Sequence, residues 1–295
     1  MKALVSFFVL AAALVGSSTA RGQDAAAIER GKYIYIAAGC QGCHTDTKAK
    51  GAPLAGGRAL VTPFGTYFGP NITADPQHGI GAWSDADFIR ALREGISPSG
   101  EHYFPVFPYT SFTKMTDRDM LDLKAYIFSL PAVAKADVPH DIKFPFGFRF
   151  SMIFWKLLFL DKGAFATNPT RDATRNRGAY IAEALSHCGE CHTERNFMGA
   201  VKKDVALGGA RLGPDGDSVP NITPDPDTGI GKWSEEEIIE VLSSGLLPDG
   251  DVVAGAMSEI VEGTSKLTPA DLDAIAKYLK SLPPVRTASS PAKSN

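Results

Sequence analysis

The chain has 295 residues, 44% hydrophobic, 21% charged and 9% aromatic, enough apolar mass for two globular domains and unlike a disordered or fibrous sequence. Its 30 basic and 33 acidic residues leave a formal net charge of −3, which gives no electrostatic reason to expect nucleic acid or an anionic membrane surface as a partner. Four cysteines are too few to staple a fold of this size, and they fall into two close pairs, so they point to chemistry.

Residues 1–20 read as an export signal. Lys2 precedes an uncharged apolar run from Ala3 to Gly16, and the small residues Ser18 and Ala20 suit cleavage after Ala20. The run is shorter than a bilayer span requires, which weakens the reading as a retained anchor. The mature chain is therefore expected in the periplasm.

Beyond the signal, the chain is a duplication. Asn71-Ile72-Thr73 through Gly79-Ile80-Gly81, then Trp83-Ser84, recurs at Asn221-Ile222-Thr223 through Gly229-Ile230-Gly231, then Trp233-Ser234, an offset of 150. Cys40 matches Cys188 at 148, and Thr116 to Pro131 matches Thr268 to Pro283 at 152, so the two copies keep their order with small insertions. The expected division is 21–135 and 173–285 for the two domains, 136–172 for a connector and 286–295 for a polar tail.

Each copy reads as helices joined by Gly/Pro-rich loops, with no alternation long enough for a convincing strand, so the expected class is all-α. Ser84-x-x-Asp87 opens a helix that Gly95 closes, and Ser234-x-x-Glu237 opens one that Gly245 closes. The last helix of each copy starts at Thr116-x-x-Asp119 or Thr268-x-x-Asp271 and stops by Pro131 or Pro283. A loop of roughly thirty residues such as His44 to Gly81 argues against a compact domain unless something else supplies a core, and a large buried cofactor would do so.

In the connector, Phe150, Ile153, Phe154, Leu157 and Leu158 lie at helical spacing, while Met152, Trp155 and Phe159 make the opposite face apolar too. The segment 144–160 must be covered, either by packing between the two domains or by a partner subunit or membrane surface.

The chemistry sits in Cys40-Gln41-Gly42-Cys43-His44 and Cys188-Gly189-Glu190-Cys191-His192, both Cys-x-x-Cys-His, the attachment signature of c-type haem. Two thiols three positions apart can add to the two vinyl groups of one porphyrin, and the next residue then offers an imidazole to the iron. A zinc site would need both pairs to converge and would leave the following histidines and the duplication unexplained, and a redox dithiol of the thioredoxin kind wants a βαβ context that the sequence lacks. Two covalently bound haems c are the expectation, with His44 and His192 as proximal ligands.

On these pentapeptides, the shared Asn-Ile-Thr-x-Asp-Pro-x-x-Gly-Ile-Gly-x-Trp-Ser text and Pro105-x-x-Pro108-Tyr109, the chain resembles a di-haem member of the class I cytochrome c family. It is similar to the cytochrome subunits that accompany bacterial alcohol and gluconate dehydrogenases. The resemblance implies two tandem class I cytochrome c domains, and a first helix in each copy at Arg30-Gly31-x-Tyr33 and Arg177-Gly178-x-Tyr180. There a glycine would let the first helix cross the last closely, against Tyr126 or Tyr278. Trp83 and Trp233 read equally as haem-propionate contacts or as core residues at a helix entry. The family's subunits carry three haems and a C-terminal membrane-binding helix, whereas two haems and no such helix are expected here.

Methionine is the usual sixth ligand of such iron. Met257, in Gly255-Ala256-Met257 before the last helix, stands where the family carries it; Met198 comes too soon after His192. In the first copy the same offset puts Phe107 opposite Met257, and phenylalanine cannot bind iron. Met115 reads as a hydrophobic staple toward Met120, with ligation the alternative. His102 could turn inward, while His78, His140 and His187 read as surface or local hydrogen-bonding residues. The distal side of the first iron stays open between Met115, His102 and no ligand.

The function expected is single-electron carriage from a periplasmic dehydrogenase to a respiratory cytochrome or oxidase, without catalysis by this chain. The rival is a peroxidase-like haem enzyme with an open first iron. A catalytic iron would want a polar acid or base beside it, and Phe104-Pro105-Val106-Phe107-Pro108 is apolar.

Overall fold

The structure, a computed structural model, describes residues 25–213 and 216–287. The export signal at 1–20 and residues 288–295 of the polar tail lie outside the described residues.

The first repeat runs α1 (Ala25–Ala37), α2 (Cys40–His44), β1 (Ala59–Thr62), β2 (Gly65–Phe68), α3 (Asp85–Glu94), α4 (Tyr109–Phe112) and α5 (Asp117–Ser129). The connector holds β3 (Asp141–Ile142) and α6 (Ser151–Phe159). The second repeat begins with α7 (Ala173–Tyr180), which continues as a π-helical turn (Ile181–Leu185) and leads to 3₁₀ turns at Cys188–Glu190 and Lys203–Val205. It ends with α8 (Glu235–Ser244), α9 (Ala256–Thr264) and α10 (Pro269–Lys280).

The helix ends obey the local chemistry. Ser84 and Ser234 each make a reciprocal capping box, with Asp87 and Glu237, so two otherwise orphaned N–H groups are satisfied at each start. Gly95 (φ 62°) and Gly245 (φ 81°) close α3 and α8 in the left-handed conformation that glycine adopts without a Cβ penalty. Thr116 and Thr268 cap α5 and α10 through the backbone N–H of Asp119 and Asp271. Just before these caps, Met115 and Leu267 are buried in the same core as Met120 and Leu272, the staple pattern in both copies.

The first and last helices of each repeat cross without room for a side chain. A Cβ on Gly31 would lie 1.8 Å from the Asp122 carbonyl oxygen and 2.9 Å from the Tyr126 Cβ. On Gly178 it would lie 1.9 Å from the Ala274 carbonyl oxygen and 2.8 Å from the Tyr278 Cβ. Arg30 to Asp122 and Arg177 to Asp271 fasten the same crossings with charge-assisted bonds at 2.6 and 2.8 Å.

The repeats share one hydrophobic core and exchange reciprocal contacts. The Tyr33 hydroxyl donates to Asp271 Oδ2 at 2.5 Å and accepts from the Thr268 N–H at 3.2 Å. Reciprocally, the Tyr180 hydroxyl donates to Asp119 and accepts from the Thr116 N–H at 3.2 Å. The tyrosines of the glycine crossings thus reach across to the last helix of the other repeat, an arrangement in which the same surface is used twice. The two acids, which the sequence pattern assigns to their own helix starts, point instead at these hydroxyls.

An exclusively helical chain is corrected in one place. β1 and β2 form an antiparallel hairpin inside the His44–Gly81 loop, and β3 of the connector pairs with β2, giving a sheet in the order β1-β2-β3. The strands are four, four and two residues long, too short for alternation to show in the sequence. Their formation reflects the need of a long loop's backbone groups for partners.

In the connector, α6 lays one face across both repeats. Trp155 is buried on Tyr109 and donates from its indole N–H to the Met198 carbonyl at 2.9 Å. Lys156 turns inward, donating to the Gly95 carbonyl at the end of α3 at 2.6 Å and crossing the Tyr109 ring. The other face stays open: Phe144 is 86% exposed, Phe150 64%, Phe154 62% and Leu157 79%. The segment therefore packs between the repeats and also presents an apolar surface.

Candidate functional site

Each Cys-x-x-Cys-His segment begins directly after a left-handed residue, Gly39 (φ 60°) or His187 (φ 40°), which breaks the preceding helix and turns the chain. Cys40, Cys43, Cys188 and Cys191 are all unbridged thiols. Burial pushes the Cys40 and Cys188 thiols up to about 12 and Cys191 up to about 11. A thiol–disulfide catalyst needs the opposite, a depressed thiol pKa. Among the described residues no group of three or more His, Cys, Asp or Glu side chains could hold a metal ion unaided.

The histidines are pre-set in the same way in both copies. His44 Nδ1 lies 2.8 Å from the Pro70 carbonyl oxygen, and His192 Nδ1 lies 2.8 Å from the Pro220 carbonyl oxygen. A carbonyl only accepts, so Nδ1 carries the proton and Nε2 keeps its lone pair, the tautomer a metal-binding imidazole requires. Burial lowers the pKa of both rings, which keeps them neutral. These two carbonyls went unassigned in the sequence, although the signal is there: Pro precedes Asn-Ile-Thr in both copies. The asparagines hold this turn. Asn71 Nδ2 donates to the Val133 and Lys135 carbonyls and Asn221 Nδ2 to the Val285 carbonyl, tying the turn to the chain beyond the last helix. Two thiols, an oriented imidazole and a long loop around them fit covalently attached haem in each repeat.

The other candidates take varied places in the fold. Met257 is half-buried and lies in the first turn of α9 rather than on a free loop. Met115 is fully buried in the core. His102 has Nδ1 3.1 Å from the buried Lys156 ammonium and its carbonyl accepting from Arg149. Phe107 is surrounded by the rings of Tyr103, Phe112 and Tyr109 at 5.8, 5.7 and 6.4 Å, an aromatic setting. Trp83 and Trp233 pack against the core at the entries of α3 and α8, their carbonyls accepting from Lys124 and Lys280 at 2.8 and 2.7 Å. His140 accepts from the Phe68 N–H, and His187 packs on Phe112 between the repeats.

The attachment segment of each repeat touches the other repeat. Glu190, inside the second one, accepts from Thr110 Oγ1 at 2.5 Å and Ser111 Oγ at 3.1 Å, both on α4. Burial raises the Glu190 pKa, but Arg195 and Thr110 more than offset this and hold it below the ordinary value. Gly42, inside the first, lies against the Glu259 carboxylate of α9, which pairs with Arg58 at 2.9 Å. The Cys43 and Cys191 thiols are near enough that the first helps raise the pKa of the second.

Comparison with known proteins agrees with this chemistry. The cytochrome c family model matches residues 28–131 and 176–283. A diheme cytochrome c-type protein of Cereibacter sphaeroides is 44% identical, over 87% of this chain and 86% of its own length. The cytochrome c subunit of a quinone alcohol dehydrogenase of Gluconacetobacter polyoxogenes is 38% identical over 92% of this chain, and that of a gluconate 2-dehydrogenase of Pantoea cypripedii 36% over 87%. The chain spans 60% of the length of each of these two subunits.

Proposed function

Because the chain belongs to the cytochrome c family, we propose that it is a periplasmic di-haem electron carrier, the cytochrome partner of a dehydrogenase, passing single electrons to a respiratory cytochrome or oxidase. The observation that carries the reading is the duplicated attachment segment with each histidine held by a proline carbonyl at 2.8 Å. Haem supplies the one-electron chemistry when bound. Cys40, Cys43, Cys188 and Cys191 would fix it, and His44 and His192 would each offer Nε2 from the proximal side. Met257 is the distal ligand we assign in the second repeat. The aromatic setting of Phe107 leaves the first iron with Met115, His102 or no distal protein ligand, and disfavours enzymatic turnover there. The relatives are a diheme cytochrome c-type protein and the cytochrome c subunits of two dehydrogenases, and lend nothing to a peroxidase-like role.

The exposed side of 144–160 is where we place contact with a partner subunit. Arg149 and Lys156 turn inward, and Lys162 pairs with Glu94 and Lys203 with Asp161, so little charge is left for lipid headgroups.

Met257→Ala tests the ligand assignment. Loss of a soft thioether, which favours the reduced iron, is expected to lower the potential of one haem and abolish its methionine-to-iron charge-transfer band, with both haems still attached. An unchanged band and potential would show that another residue holds that iron.

A further inference from the structure

Each attachment segment has a carboxylate and an arginine beside it where it meets the opposite repeat, arranged differently in the two copies. Gly42 and Glu190 occupy the same place in their motifs, at the offset of 148. Across the first lies a carboxylate, Glu259 of α9, paired with Arg58. Across the second the carboxylate is in the motif itself: Glu190 accepts from Thr110 and Ser111 of α4 and from Arg195 Nη2 at 2.6 Å. Each junction therefore holds one carboxylate and one arginine, wedged beside the second cysteine of one repeat and against the helix at the distal segment of the other.

The second junction is the stronger. The Glu190 side chain is 11% exposed against 47% for Glu259, and Arg195 also donates to the Glu190 and Gly199 carbonyls, fixing its guanidinium. A shielded, multiply bonded pair holds position where a half-exposed one is screened. A carboxylate that merely capped its own turn would not need two hydroxyls from a helix about 80 residues earlier in the chain.

We propose that Glu190 is a positioning residue that locks the second haem-attachment segment onto α4 of the first repeat and so sets the geometry for electron exchange between the repeats, while the Arg58–Glu259 pair ties α9 to the first repeat at the other junction. The inference rests on the reading of two covalent haems given above. It requires that loosening the junction slow exchange while leaving attachment intact, because the cysteines and the histidine contacts are untouched.

The test uses the full chain matured in the periplasm with its haems attached. After rapid one-electron reduction, exchange between the haems is monitored in wild type, Glu190→Ala, Glu190→Gln, Arg195→Gln and Thr110→Val. Misplacement of the partners in Glu190→Ala is expected to slow exchange by about tenfold. Glu190→Gln keeps an acceptor for Thr110 and is expected to recover most of the rate, and Thr110→Val to slow it less than Glu190→Ala. The potential of the second haem should rise in Glu190→Gln and fall in Arg195→Gln, opposite shifts that general loosening does not produce. Unchanged exchange in Glu190→Ala with two haems attached, or potential shifts of one sign in both variants, would overturn the assignment. Should Glu190→Ala fail to mature, unchanged exchange in Thr110→Val would do the same. A wild type with one haem would fail the functional reading instead, before any variant is compared.

Discussion

Changing Cys188 and Cys191 together to serine is expected to remove one of two covalent haems and to unfold most of the C-terminal repeat, while haem stays on Cys40 and Cys43. The second repeat has long segments without regular structure between the 3₁₀ turn at Cys188–Glu190 and α8, and a bound porphyrin would supply the apolar surface for these loops to close around. Leu207, Ile222 and Ile230 belong to the core on that side and would lose a large apolar partner. Burying a group of that size contributes at least as much as the net stability of a domain, about 5–15 kcal/mol, before entropy is counted. The same change in the first repeat, Cys40 with Cys43, should give the mirror result. Intact mass and an alkaline-pyridine haem assay per chain read the loss directly, and circular dichroism reads the helices. A variant that keeps both haems, or a haem-free second repeat with native helix content, would contradict the account.

Gly178→Ala should be nearly as damaging without touching any cofactor residue. Its Cβ would sit 1.9 Å from the Ala274 carbonyl oxygen and 2.8 Å from the Tyr278 Cβ, positions fixed by backbone rather than by flexible side chains. Relief requires α7 and α10 to separate, which weakens the Arg177–Asp271 pair and the Tyr33 contact on the same aspartate. Overpacking usually costs about 1–3 kcal/mol, and a clash with the α10 backbone, which no rotamer change relieves, puts this substitution at about 3 kcal/mol or more. Gly147→Ala is the control, since its Cβ would meet only the Ile142 Cβ at 3.9 Å, and a change within about 0.5 kcal/mol is expected there. Denaturant midpoints of the two variants against wild type decide it. Equal midpoints for Gly178→Ala and Gly147→Ala would mean that the helices do not cross as closely as the structure has them.

The legible part of this chain was whatever is written locally or twice. Helix starts at Ser84 and Ser234 and stops at Gly95 and Gly245 are short-range signals, and the duplication made each reading count double. The attachment pentapeptide is likewise contiguous, because covalent attachment demands fixed spacing. What escaped was written at long range. Tyr33 and Asp271 are 238 residues apart, so nothing local tells that an acid in a helix-start pattern serves the other repeat. The Pro70 and Pro220 carbonyls carry no side-chain signature; only their repetition beside Asn-Ile-Thr marks them. The hairpin of β1 and β2 was too short to show alternation, and the helix under Met257 begins on Gly255, a residue that normally argues for a loop. The apolar connector was legible as a surface needing cover, but periodicity could not say which face packs, since both are apolar.

The central claim, two covalent one-electron centres on one chain, is tested most directly by coulometric redox titration of the periplasmically matured protein, with absorbance of the reduced haem recorded against charge passed. The account predicts two electrons per chain, taken up and released reversibly, with all the haem remaining on the protein after acid extraction. One electron per chain, or haem that extracts into acid, would contradict it.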